Sequence, residues 1–132
     1  MSKIRAISLW EPWASLVATG AKKVETRSWY TEVRGTLLIC AAMKKDKGAM
    51  KLLESLEFQK GLSSIHPDWK PSKYGATFEV ITKPEHLNFG KAVAVVDFAH
   101  CISTDLFYQE TTDEEFKEQK PFGDYSPGRY AW

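Results

Sequence analysis

The sequence predicts an α+β protein built on a small closed antiparallel β-barrel flanked by short helices. Three observations carry that prediction. Apolar runs of strand length recur along the chain between tight turns. Two or three stretches instead repeat their apolar residues at helical spacing. No internal repeat and no low-complexity tract interrupts the pattern, which is that of a small barrel with helical additions. At 132 residues the chain is long enough to bury about two-thirds of its unfolded surface, so a single domain over residues 1–132 is expected.

Each element follows from its residues. Lys3–Trp10 alternates Ile4, Ala6 and Ser8 against Arg5, Ile7 and Leu9, as a strand with two partly buried faces does. Pro12–Thr19 reads as a short helix. Pro12 suits its first turn, Trp13, Leu16 and Val17 share one face, and Gly20 stops it. Lys23–Trp29 is rich in Val, Thr and Trp and reads as a strand, followed after a turn near Glu32–Gly35 by the apolar strand Thr36–Ala42. Ala49, Met50, Leu52, Leu53 and Leu56 recur at helical spacing, which predicts one helix over roughly Asp46–Phe58 with those residues in the core. From Gly61 to Gly75, seven of fifteen residues are Gly, Pro or Ser, marking a loop pinned by His66, Trp69 and Tyr74. Ala76–Thr82 is a weak strand and Ala92–Cys101 a strong one, with Val93, Val95 and Asp97 alternating against Ala94, Val96 and Phe98. Asp113–Gln119 is a short acidic helix, and Arg129–Trp132 closes the chain as a strand.

Composition narrows the function. The net charge of +1 does not suit a protein that coats nucleic acid by bulk electrostatics. The distribution is uneven: residues 1–60 hold 11 Lys or Arg against 6 Asp or Glu, and residues 61–132 hold 7 against 11, so two faces of opposite potential are expected. No apolar run approaches the roughly 20 residues of a membrane span. Met1-Ser-Lys-Ile-Arg opens straight into a strand pattern, so a cytoplasmic location is expected. Cys40 and Cys101 sit in apolar runs and read as reduced core residues, and the three histidines and two cysteines show no metal-binding spacing. No phosphate-cradling glycine loop is present, so neither a metal nor a nucleotide cofactor is expected, and the protein is expected to be a monomer.

The densest chemistry lies in Ser8–Trp29. Lys22 sits in a turn, and Glu25 and Arg27, two residues apart in a strand, share a face, so a cation, an anion and a second cation are held near one point. As a catalytic set, Glu25 would activate water while Lys22 and Arg27 stabilise a developing oxyanion. A lysine acts as base or nucleophile only when burial or a neighbouring cation depresses its pKa from about 10.4. As a structural set, Glu25 would bridge the two cations and staple helix to strand. Lys22→Ala is expected to abolish ligand binding or turnover while leaving the melting temperature within a few degrees, because a cleft cation contributes little to the core. Trp10, Trp13, Trp29 and Trp132 cluster around this motif or the terminal strand. Trp10, Trp29 and Tyr130 are candidate stacking surfaces for a base, and Arg129 is a candidate phosphate contact.

Gly20-x-Lys22-x-x-Glu25-x-Arg27, preceded by Leu9-Trp-Glu-Pro-Trp-Ala-Ser-Leu16 and followed by Arg34-Gly35, resembles the signature of the ASCH domain, the activating-signal-cointegrator homology domain of the PUA-like superfamily. With the late strand 90–102 and the closing Gly123-Asp-Tyr-Ser-Pro-Gly-Arg-Tyr-Ala-Trp132, the resemblance spans most of the chain. It implies a PUA-like barrel whose cleft carries the charged motif and takes RNA or a modified nucleoside. Some small members are amidohydrolases acting on N4-acetylcytidine through the lysine of this motif and a threonine; Lys22 matches, whereas Glu25 stands in place of the threonine. Other members resemble ribonucleases, and the branch that names the family implies an interaction role in transcription. Relatives continue past the Arg-x-Ala-Trp segment into a further strand, which leaves the mode of barrel closure open.

Overall fold

A computed structural model describes residues 3–70 and 80–132. Six strands and five α-helices follow in the order β1 (Arg5–Leu9), α1 (Trp13–Thr19), β2 (Thr26–Arg27), β3 (Gly35–Ala41), α2 (Lys47–Lys51), α3 (Leu56–Leu62), β4 (Ala92–Phe98), β5 (Ile102–Ser103), α4 (Thr104–Glu110), α5 (Asp113–Gln119) and β6 (Tyr130–Ala131). The fold is α+β, with two three-stranded sheets ordered β1-β3-β4 and β2-β6-β5. Among the described residues no ladder joins the two sheets.

The expectation of an all-antiparallel sheet is corrected at β1, which pairs parallel with β3 from Arg5↔Leu37 to Leu9↔Ala41. The cause is the intervening segment. Residues 10–34, carrying α1 and β2, form a crossover long enough to return the chain to its starting end, which a parallel pair requires. The β3–β4 pair is antiparallel with a bulge between Ile39 and Cys40. The extra residue there, Val93, turns toward the core alongside Ala94 and Val96.

Two apolar clusters result. Leu9, Ala14, Leu37, Ile39, Ala41, Phe98 and Cys101 fill the first, between the sheets and α1. Leu16, Leu53, Phe58, Leu62, Leu87 and Phe122 fill the second, where α1 meets α3. Helix α1 thus holds both together, and Gly20 ends it with φ +86°, a left-handed position that favours glycine.

The single helix expected over 46–58 is two. Ser55 adopts extended backbone and its hydroxyl accepts the Phe58 N–H, so it caps α3 instead of continuing α2. Leu56 lands in the first turn of α3 at 61% exposure and is no core residue. The strand expected at 23–29 contracts to Thr26–Arg27. Of the weak strand at 76–82, residues 76–79 lie outside the described residues, as does Tyr74, and Val80–Thr82 is not a strand. The Gln59 side chain does a strand's work for Thr82, accepting its N–H at 2.8 Å and donating to its carbonyl at 2.9 Å. Helix α4 was not anticipated; Ser103 caps it by accepting the Leu106 N–H.

Candidate functional site: a tryptophan-lined cleft around Glu25 and Arg27

Glu25 is fixed just before β2, where its N–H and C=O bond to the backbone of Trp132 at 3.1 and 2.7 Å. Its carboxylate lies 3.7 Å from the Lys22 amine and 3.8 Å from the Arg27 guanidinium, and it accepts the Thr26 N–H at 3.0 Å. The three charged side chains therefore converge. Arg27 extends from there over Trp29 and Trp132, 5.3 and 5.7 Å from the two ring centroids, a geometry in which the cation is attracted to the ring faces.

Lys22 is held differently from its partners. Its side chain is fully buried, and its amine donates to the carbonyls of Val24 and Phe122, both at 2.7 Å. With Glu25 as third neighbour, the ammonium directs its protons inward. Burial pushes the Lys22 pKa down from its ordinary 10.5; Glu25 opposes that shift and Arg27 adds slightly to it. The premise of a free cleft cation is thus corrected. Lys22 ties the 22–26 turn to the segment after α5.

A cleft of about 640 Å³ opens above Glu25 and Arg27. Trp10, Trp13 and Trp29 line it with Phe58 and Phe122, and its polar wall includes Asp124 and Arg129. Arg129 donates to the Thr26 carbonyl at 3.2 Å and lies 3.6 Å from Asp124, while its buried Nε has no hydrogen-bond partner among the described residues. Of the residues expected at the site, Glu25, Arg27, Trp10, Trp29 and Arg129 border this cleft and Lys22 and Tyr130 do not. Tyr130 instead meets Tyr30 edge to face, with centroids 5.8 Å apart. Glu25 and Lys22 also border a second, mostly apolar cavity of about 600 Å³ walled by residues such as Val17, Ile39, Val96 and Phe107.

Two residues that support the site without lining it have no role assigned from the sequence. Glu11 is completely buried: its carboxylate accepts the Ser15 N–H and hydroxyl at the start of α1 and the Asn88 N–H at 2.9 Å, which anchors the entry to the cleft. The preceding Trp10 and following Pro12-Trp13 gave a signal for a helix start, but nothing local announced a buried carboxylate. Tyr125 stacks on Phe107 at 5.6 Å, and its buried hydroxyl has no hydrogen-bond partner among the described residues. Burial, reinforced by the Glu25 charge, pushes its pKa well above the ordinary tyrosine value.

The cleft gathers three sequence stretches, 8–13, 25–29 and 121–129, together with Leu52 and Phe58. The sequence pattern of the ASCH domain matches residues 7–131, the span that contains all three. The chain belongs to the ASCH domain family. It is 30% identical over 118 residues to Activating signal cointegrator 1 of Homo sapiens, covering 88% of this chain and 17% of that protein. It is 30% identical over 109 residues to the protein of the same name from Mus musculus, covering 81% of this chain and 16% of that protein. This ASCH chain therefore spans about one-sixth of the length of those curated relatives. No helix among the described residues is long and apolar enough to cross a membrane.

Proposed function

We propose that this ASCH domain binds RNA by holding one base, native or modified, in the cleft between Trp10 and Trp29. The observation that carries the reading is the joint placement of half-exposed indoles and arginines on one concave surface. Trp10 is 43% and Trp29 51% exposed, and both line the same wall as Glu25, Arg27 and Arg129. Aromatic faces stack bases without sequence readout, and arginines between them meet phosphates or base edges. The volume suits a small ligand, since such clefts commonly measure about 300–1,000 Å³. The two sheets read as arcs of one PUA-like barrel, because Tyr130 of β6 packs against the first apolar cluster, whose strand residues come from β1, β3 and β4.

In this reading Glu25 and Arg27 contact the ligand, and Lys22 is a positioning residue that fixes Glu25 from below. Binding is favoured over hydrolysis by the state of Lys22, whose bonded amine offers neither a free base nor a donor to the cleft. A hydrolytic role would fall to Glu25 alone as base, with Arg27 beside it. Incubation with acylated nucleosides and short RNAs, read by mass spectrometry and by calorimetry, separates the two. Binding with unchanged masses supports the module; a deacylated or cleaved product overturns it in favour of the enzyme.

A further inference from the structure

We propose that the cleft selects guanine, with Glu25 and Arg27 reading the Watson–Crick edge of the base. The inference rests on the nucleobase reading of the cleft and names the base the site takes. The Glu25 side chain is 21% exposed, so water satisfies little of its charge. A carboxylate offers about four lone-pair sites, and among the described residues Glu25 receives one hydrogen bond, from the Thr26 N–H to Oε1 at 3.0 Å. Its two cations stand at 3.7 and 3.8 Å, beyond hydrogen-bond distance. Oε2, the oxygen nearer Arg27, accepts no hydrogen bond among the described residues. Arg27 is equally under-used: its hydrogen bond there is one long contact to the Ser8 carbonyl, at 3.5 Å. Asp124, the other carboxylate of the cleft wall, is 60% exposed and accepts the Ser126 N–H, so it is hydrated and gains less from a base edge. Glu25 borders the second cavity too, but Arg27 does not, so the pair acts together toward the cleft.

A carboxylate with acceptor sites open, beside a guanidinium with donors open, is the complement of guanine. That base presents its O6 acceptor next to two adjacent donors, N1–H and N2–H. Adenine and cytosine each offer one amino donor next to a ring-nitrogen acceptor, whose lone pair would oppose the carboxylate. Uracil sets one imino N–H between two carbonyls. Guanine alone among the four gives the carboxylate two parallel N–H bonds and leaves O6 to the arginine. The indoles hold the base by stacking, which is indifferent to its identity, and the charged pair supplies the choice.

The test measures by calorimetry the binding of single-stranded RNA tetramers that carry guanine, hypoxanthine, adenine, cytosine or uracil at one inner position of an otherwise all-uridine chain. Wild type, Glu25→Gln and Trp29→Ala are compared, each first checked by thermal melting. Wild type should bind the guanine tetramer about 5- to 150-fold more tightly than the all-uridine one, the range of one bidentate base contact. Hypoxanthine, which lacks the 2-amino group, should fall between them. Glu25→Gln exchanges an acceptor for a donor and should bring the guanine tetramer down to the level of the others, and Trp29→Ala should weaken all five. Equal affinity for the five overturns the inference while the cleft reading stands. So does tightest binding of another base, or a guanine preference that survives Glu25→Gln. Should Glu25→Gln fail to fold, guanine against hypoxanthine on wild type decides alone, since the two bases differ only in the amino group donated to Glu25, and equal affinity for them overturns the inference. Absence of binding by all five overturns the cleft reading itself.

Discussion

Lys22→Ala should destabilise the fold by about 3–5 kcal/mol. The magnitude follows from what the amine touches. The carbonyls of Val24 and Phe122 each lose a charged donor at 2.7 Å, and a hydrogen bond to a charged group is worth about 1.5–3 kcal/mol. Glu25 is left with Arg27 as its only cationic neighbour among the described residues. For a domain of this size the loss corresponds to a fall in melting temperature of roughly 10–20 °C. Urea denaturation with Lys22→Met as companion separates the charge from the volume, since Met fills the space of the stem and should cost less than Ala. The two variants also carry a pH signature. The folded-state pKa of Lys22 lies below its unfolded value of 10.5, so between those values the unfolded chain holds a proton that the folded one has shed. Stability from this group therefore rises with pH through that window and is flat below it. Wild type should gain on Lys22→Met as pH climbs toward 10.5. A Lys22→Ala variant that loses less than about 1 kcal/mol and shows no such pH dependence would refute the buried-tether account.

Two further outcomes follow from other groups. Tyr125→Phe removes a buried hydroxyl without a partner, so stability should stay level or rise, and the fall in stability above pH 10, where the unfolded phenol ionises before the folded one, should diminish; a loss of more than about 1 kcal/mol on chemical denaturation would reveal a partner for that hydroxyl. The affinity for a short single-stranded RNA should fall gently with salt, with a logarithmic slope of about −2 or shallower, because Arg27 and Arg129 in the cleft and Lys44 over the Trp10 ring are the cations expected to meet its phosphates; a slope several times steeper would require an extended phosphate groove.

Much of this was legible where the determinants are local. Gly20 ends α1 because its left-handed backbone needs no partner elsewhere. The two-residue spacing of Glu25 and Arg27 placed both on one face, and the apolar alternation of β4 holds from Ala94 to Phe98, with Val93 moved to the core side by the bulge. What escaped depends on remote partners or on competition between local signals. Lys22 is buried because of a carbonyl 100 residues away, which no pattern around position 22 encodes. Thr82 finds its backbone partner in the Gln59 side chain, so a strand-like sequence there has no strand to join. At Ser55 a helix cap outweighed the apolar periodicity that ran through it, which split the predicted helix and exposed Leu56. The parallel pairing of β1 and β3 is a property of the crossover between them and of neither strand alone.

The central claim, that a base enters between Trp10 and Trp29, is tested most directly by the five indole N–H signals in a heteronuclear NMR titration with a single-stranded RNA tetramer. Trp10, Trp13 and Trp29 line the cleft, and Trp132 donates its indole N–H to the Trp29 carbonyl at 3.2 Å, whereas Trp69 lies outside. The Trp10 and Trp29 signals should move most, Trp13 and Trp132 less, and Trp69 should stay fixed as an internal control. Saturable shifts confined to Trp69, or no shift at any indole while the RNA binds, would contradict the account.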